Sequence, residues 1–169
     1  MAVQLSAELE GRAVQERLRK LEDPISALHP DVPDVSKLIY ECVSQNDSPK
    51  IFLSESQLDQ FARPLVILDA KGMITGSHAI GKKFAAGFWL SNPWYVLYMA
   101  ALFEDADRME RFAERLNSTP AGTWMKGAEL SQEYALPIPV VKAVFQLGEQ
   151  QGLGILSKEI GTVNYCVIA

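Results

Sequence analysis

Gly127-Ala128-Glu129-Leu130-Ser131-Gln132-Glu133-Tyr134, followed by Leu136-Pro137-Ile138-Pro139 and then by Val140 to Gln151, is the stretch whose reading decides the fold. The first segment is made of helix formers, with Leu130 and Tyr134 one turn apart on one face. Two prolines then stop that helix. Pro139 fits the first turn of a new one, where its missing N–H costs nothing. The second helix is expected to run from Val140 to Gln151 and to stop at Gly152. Upstream, Trp124-Met125 is a short apolar lead-in. Downstream, Leu153-Gly154-Ile155-Leu156 and Thr162 to Val167 read as strands around a Lys158-Glu159-Ile160-Gly161 turn, with glycine where a positive φ is commonly needed.

Leu130-x-x-x-Tyr134, a short turn, Val141-Lys142 with Val144 and Phe145, and the Gly152-Leu153 step occur in one order. That order resembles the winged helix-turn-helix domains of bacterial regulators of the GntR type, over about a third of the chain. The resemblance implies a DNA-binding transcriptional regulator, acting as a homodimer, with Lys126, Lys142 and Gln146 on nucleic acid and Lys158 at the wing tip. One feature departs from the pattern. A groove-reading helix presents polar side chains at its N-terminal end, because base edges and phosphates are hydrogen-bonding targets. Here that end carries Ile138, Pro139, Val140 and Ala143. From Thr119 onward, Lys126, Lys142 and Lys158 face Glu129, Glu133, Glu149 and Glu159, so the module has no basic footprint. The alternative reading is an adaptor or assembly protein whose winged helix docks another protein through those four apolar residues.

Composition bounds the rest. At 169 residues, 48% hydrophobic and 22% charged, the chain can bury one sizeable core or two small ones. A net charge of −5 argues against a general nucleic-acid binder. Cys42 and Cys166 form no Cys-x-x-Cys pair and read as reduced, buried thiols. The N-terminus lacks the basic-then-apolar order of a signal peptide, so a cytoplasmic protein is expected. Neither a metal-ligand cluster nor an activated nucleophile stands out; no enzyme, catalytic residue, metal or cofactor is expected.

The expected fold class is mainly α with small β elements: a mostly helical domain with one β-hairpin over 1–118, which dimerises or senses, then a winged helix over 119–169. The breaker-rich Asn117 to Gly122 marks the boundary. Ser6 to Glu22 has the pattern of an amphipathic helix with Leu9, Val14, Leu18 and Leu21 near one face and Arg12, Arg17, Arg19 and Lys20 on the other. A second helix begins at Asp34, and Ser54 to Gln57 has capping-box spacing. Leu65 to Leu68 reads as a strand, returning at Met73 to Thr75 after a turn. Gly76-x4-Gly81-Lys82 has phosphate-loop spacing, but Lys83 stands where that loop needs a hydroxyl. Phe84 to Phe103 carries no charge. Ser91-Asn92-Pro93 splits it into the end of one helix and a second helix from Trp94 to Phe103, each too short to span a bilayer, so a core or subunit-interface helix pair is expected and a membrane partner is not. Asp105 is expected to cap a further helix. No internal repeat is visible.

Overall fold

The first helix, α1 (Val32–Asn46), starts two residues ahead of Asp34, because Pro33 is accommodated in its first turn. In this computed structural model, which describes residues 25, 27–77, 83–103, 106–157 and 163–168, Val35, Ile39 and Val43 recur at helical spacing and are fully buried. The chain leaves α1 through Asp47 in a left-handed conformation, passes β1 (Lys50–Ile51) and enters α2 (Glu55–Gln60). The expected capping box forms. Gln57 N–H donates to Ser54 Oγ at 3.3 Å and Ser54 N–H donates to Gln57 Oε1 at 2.9 Å. The helix expected over Ser6 to Glu22 lies outside the described residues.

Leu65 to Leu68, expected as a strand, is instead the middle of α3 (Ala62–Ala70). Pro64 falls in its first turn, where no intrahelical donor is lost, and Leu65 and Leu68 point one turn apart into the core. A short apolar run does not separate the two states; its neighbours do. Next come β2 (Ile74–Gly76) and β3 (Phe88–Leu90). β3 lies between β1 and β2, antiparallel to both, so the first half holds a three-stranded sheet in place of the single expected hairpin. The segment expected to end a helix before Ser91 is a turn and this central strand. Gly87 sets it up at φ 83°, where an added Cβ would strike Ile51 O and the Phe52 ring.

Asn92 then caps α4 (Pro93–Leu102) as expected, its Oδ1 accepting from Trp94 N–H at 2.9 Å. The second half comprises α5 (Ala106–Ser118), β4 (Trp124–Lys126), α6 (Gly127–Tyr134), α7 (Ile138–Gln150), β5 (Gly154–Leu156) and β6 (Asn164–Val167), with β6 between β4 and β5. Asp105 and the Lys158–Gly161 turn fall outside the described residues. Residues 119–123 join α5 to β4, and Gly122 N–H ties that connection to Val167 O at 2.7 Å.

The two halves use one architecture twice, which the sequence did not reveal. Helix, strand, helix, helix, strand, strand occurs in both, with the last strand in the middle of each sheet. The correspondence reaches single bonds. Leaving α3, Gly72 at φ 69° donates to Asp69 O and Met73 N–H donates to Leu68 O; leaving α7, Gly152 at φ 75° donates to Glu149 O and Leu153 N–H donates to Gly148 O. Gly76 N–H donates to Asp69 Oδ1 at 2.9 Å, and Leu156 N–H donates to Glu149 Oε1 at 3.0 Å. Phe88 and Tyr165 are the fully buried centres of the two sheets, beside Ile51 and Met125.

Packing follows from this. α4 contacts α1, where the buried Ser36 Oγ and Tyr95 OH share a 2.8 Å hydrogen bond, and it lies along α7. In the second half Phe112, Phe145 and Tyr165 form a run of rings, the last two stacked at 4.7 Å. Gly148 and Gly154 make room for Tyr165, since a Cβ on either would overlap its ring or hydroxyl. That hydroxyl is buried and has no hydrogen-bond partner among the described residues.

Two predictions follow from these rings. An orphaned buried hydroxyl costs about 1–3 kcal/mol, so Tyr165→Phe should raise the urea midpoint. Gly148→Ala should lower it, because overpacking of about 1–3 kcal/mol outweighs a helix-propensity gain of about 1 kcal/mol, and Tyr165→Phe should rescue most of that loss. Equal effects of Gly148→Ala in the two backgrounds would refute the contact. Burial, only partly offset by the Ser36 hydrogen bond, holds the Tyr95 phenol well above its usual range. A raised folded value means that the folded state keeps its proton longer, so stability is full below the unfolded tyrosine value of about 10 and falls as pH rises from there towards the folded value. The slope is about 1.4 kcal/mol per pH unit for one such group, and Tyr95→Phe should flatten it in denaturation curves between pH 9 and 12.

Candidate functional site

α7 is the helix that sequence reasoning assigned to a groove or a partner, and its surroundings decide what it can do. Of its residues, Pro139, Val140, Val141, Ala143, Phe145, Leu147 and Gly148 are buried, and only Glu149 and Gln150 are exposed. α4 lies against it more extensively than any other pair of elements touches. Its N-terminus is also occupied. The Asp47 carboxylate, at the end of α1 in the other half, accepts a hydrogen bond from Ile138 N–H. A helix start has unsatisfied donors and a partial positive charge, so a carboxylate satisfies both.

This placement corrects the proposed docking anchor. Pro139, Val140 and Ala143 are spent on the chain's own core, and Ile138 is half-buried beside them. Apolar residues at a helix start mark a covered start as readily as a partner-facing one. For the nucleic-acid set, Lys142 and Gln146 share one face of α7 but are half-buried. Lys126 stands apart at the end of β4, exposed, with Nζ on Glu129 Oε1 at 2.8 Å; that hydrogen bond, aided by the carboxylate's charge, raises its pKa. Lys158 lies outside the described residues. Of the phosphate-loop sequence, His78 to Lys82, with Gly81 and Lys82 among them, lie outside the described residues. Gly76 N–H is engaged by Asp69, Lys83 Nζ is held on Asp69 Oδ2 at 2.7 Å, and the Phe84 ring fills the space beside Gly76.

Sequence reasoning missed the outer faces of the two sheets. Across the second sheet, Trp124, Cys166 and Ile155 stand in register, with Trp124 61% and Ile155 51% exposed and Ile168 following on the same face. On the first, Trp89 sits opposite Lys50 and Thr75, and the Lys50 ammonium lies 4.9 Å from the Phe52 ring and 5.5 Å from the Trp89 ring. Strands of two to four residues are too short to display a period of two, so Trp124 looked like a lead-in to α6. Cys42 and Cys166 are unlinked.

No known protein family, curated protein or solved structure matches the chain. Among the described residues no group of three or more His, Cys, Asp or Glu side chains is arranged to hold a metal ion, and no helix is long and apolar enough to cross a membrane.

The Asp47 contact yields a direct test. Asp47→Ala should cost about 1 kcal/mol, the usual worth of an N-terminal cap, while Asp47→Asn, which keeps an acceptor oxygen, should cost less. Equal urea midpoints for the wild type and Asp47→Ala would show that this bond does not hold the two halves together.

Proposed function

We propose that the chain is a protein-docking adaptor built from two winged-helix units, Val32 to Leu90 and Ala106 to Val167, and that the second does not read a DNA groove through α7. The element order and the central position of the last strand in each sheet support the winged-helix reading of both units. On this reading the second unit begins at α5, ahead of the Asn117–Gly122 stretch. The observation that carries the functional reading is the covering of α7, by α4 along its length and by Asp47 at its start. Groove reading requires that end to meet base edges and phosphates. With Lys142 half-buried and Lys126 paired to Glu129, few cations remain there among the described residues to displace counterions from DNA.

The docking role passes to the outer sheet face around Trp124, since exposed tryptophans with apolar neighbours are the commonest anchors of protein interfaces. In fluorescence anisotropy with a labelled duplex, the full chain should bind weakly or not at all at about 50 mM salt; tight binding that collapses at about 200 mM would restore the DNA-binding regulator. Trp124→Glu should leave the melting temperature nearly unchanged while weakening a co-purifying protein partner by roughly 30-fold, a loss of about 2 kcal/mol. Undiminished binding by that variant would remove the sheet face from consideration.

A further inference from the structure

α4 raises a question that its packing does not answer. Its sequence, Pro-Trp-Tyr-Val-Leu-Tyr-Met-Ala-Ala-Leu, contains no charged side chain, as suits a helix buried on all sides. Yet only Tyr95, Val96, Met99 and Ala100 are buried, against α1 and α7. The opposite side holds Trp94, 59% exposed, and Leu102, 46% exposed, with Ala101 exposed and Leu97 and Tyr98 half-buried. At 100° per residue these five fall within one arc of about 140°. They form a continuous apolar stripe along the helix.

We propose that this stripe is a homodimer surface, on which the α4 helices of two copies pair antiparallel about a two-fold axis near Tyr98. Three observations favour a second copy of this chain as the occupant. Inverting the stripe about Tyr98 sets Trp94 against Leu102 of the other copy and Tyr98 against itself, so the two large exposed residues at the ends of the stripe cover each other. α4 has no acidic residue in its first turn and no basic residue in its last, so its macrodipole is uncompensated by its own side chains, and an antiparallel copy supplies the opposite pole at each end. Finally, nothing between Phe84 and Phe103 carries a charge other than what a partner would bring, so two copies of a chain of net charge −5 meet along a neutral helix.

Size sets a further condition. A ten-residue helix is about 15 Å long, whereas stable dimers bury about 800 Å² on each partner. The stripe extends through Leu97 into an apolar groove of about 450 Å³ between α4, α5 and α7, lined by Met109, Ala113, Val144 and Leu147. Helix and groove together form the contact. This surface is separate from the sheet face around Trp124, and the proposal does not depend on the docking reading.

Light scattering on the full chain across a dilution series tests it. The expected mass is twice the 18.7 kDa of one chain at high concentration, reduced to a single chain in Trp94→Glu and in Ala101→Glu, and kept in Trp124→Glu. A second measurement avoids disruptive substitutions. With Trp89→Phe and Trp124→Phe in place, Trp94 is the remaining tryptophan, and acrylamide should quench it in dilute solution and lose access to it on concentration. A wild-type chain that stays monomeric overturns the proposal, as does a dimer of unchanged mass in both stripe variants or Trp94 quenching that ignores concentration. Protection of Trp94 by anionic vesicles in a monomeric chain would overturn it in favour of a lipid surface.

Discussion

The contact of α4 with α1 on one side and α7 on the other is the constraint on which the rest of the structure depends. α4 belongs to neither repeat of helix, strand, helix, helix, strand, strand; it joins them. Tyr95, held to Ser36 inside the first half, fixes its rotation, and that rotation turns Val96, Met99 and Ala100 inward. Burying a side chain of the size of Val96 or Met99 is worth about 1.5–3 kcal/mol, so the joint contributes several kcal/mol, a large part of a small domain's stability. The relative placement of the halves is therefore a packing decision. The single polar contact from Asp47 to the start of α7 adds register to it.

Using one architecture twice has let the two copies diverge in what they leave open. α3 packs on α1 and β2, and Arg63, Val66 and Ala70 remain exposed on its outer side. α7, its counterpart, is longer and almost entirely covered. The cover on α7 comes from α4, which immediately precedes α5 and folds back across it. Among the described residues the same backbone thus presents an outer face that is open on one helix and closed on its counterpart.

Much of the second half and of the joining helix was legible, because their signals are local. Pro139 in a first turn, Gly152 after a helix and Asn92 before Pro93 each have one cheap conformation, and the helices α6, α7 and α4 follow from them. The first half was less legible for the opposite reason. Leu65 to Leu68 fits strand and helix equally, and only the burial of Leu65 and Leu68 on one side decides it. The duplication stayed hidden because what it repeats is hydrogen bonding and burial rather than identity: Asp69 and Glu149 do one job, Phe88 and Tyr165 another, and the loops between β strands differ in length. The anchor placed on Pro139, Val140 and Ala143 failed because an apolar helix start says that something will cover it, without saying whether the cover comes from the same chain.

That cover also bears on the choice between DNA and protein as a partner. A helix N-terminus is a ready anion site, since its first N–H groups are unsatisfied and its dipole is positive there. DNA-binding proteins use that property on phosphates. In this chain the place is taken by the carboxylate of Asp47, 91 residues before Ile138, so the N–H at the start of α7 is spent in joining the two halves. For a phosphate to enter, that carboxylate must leave, and α4 must also withdraw from the buried face of the helix. Each step gives up interactions that the fold already holds. Outward-facing Trp124 and Ile155 carry no such cost, because covering them only removes apolar surface from water.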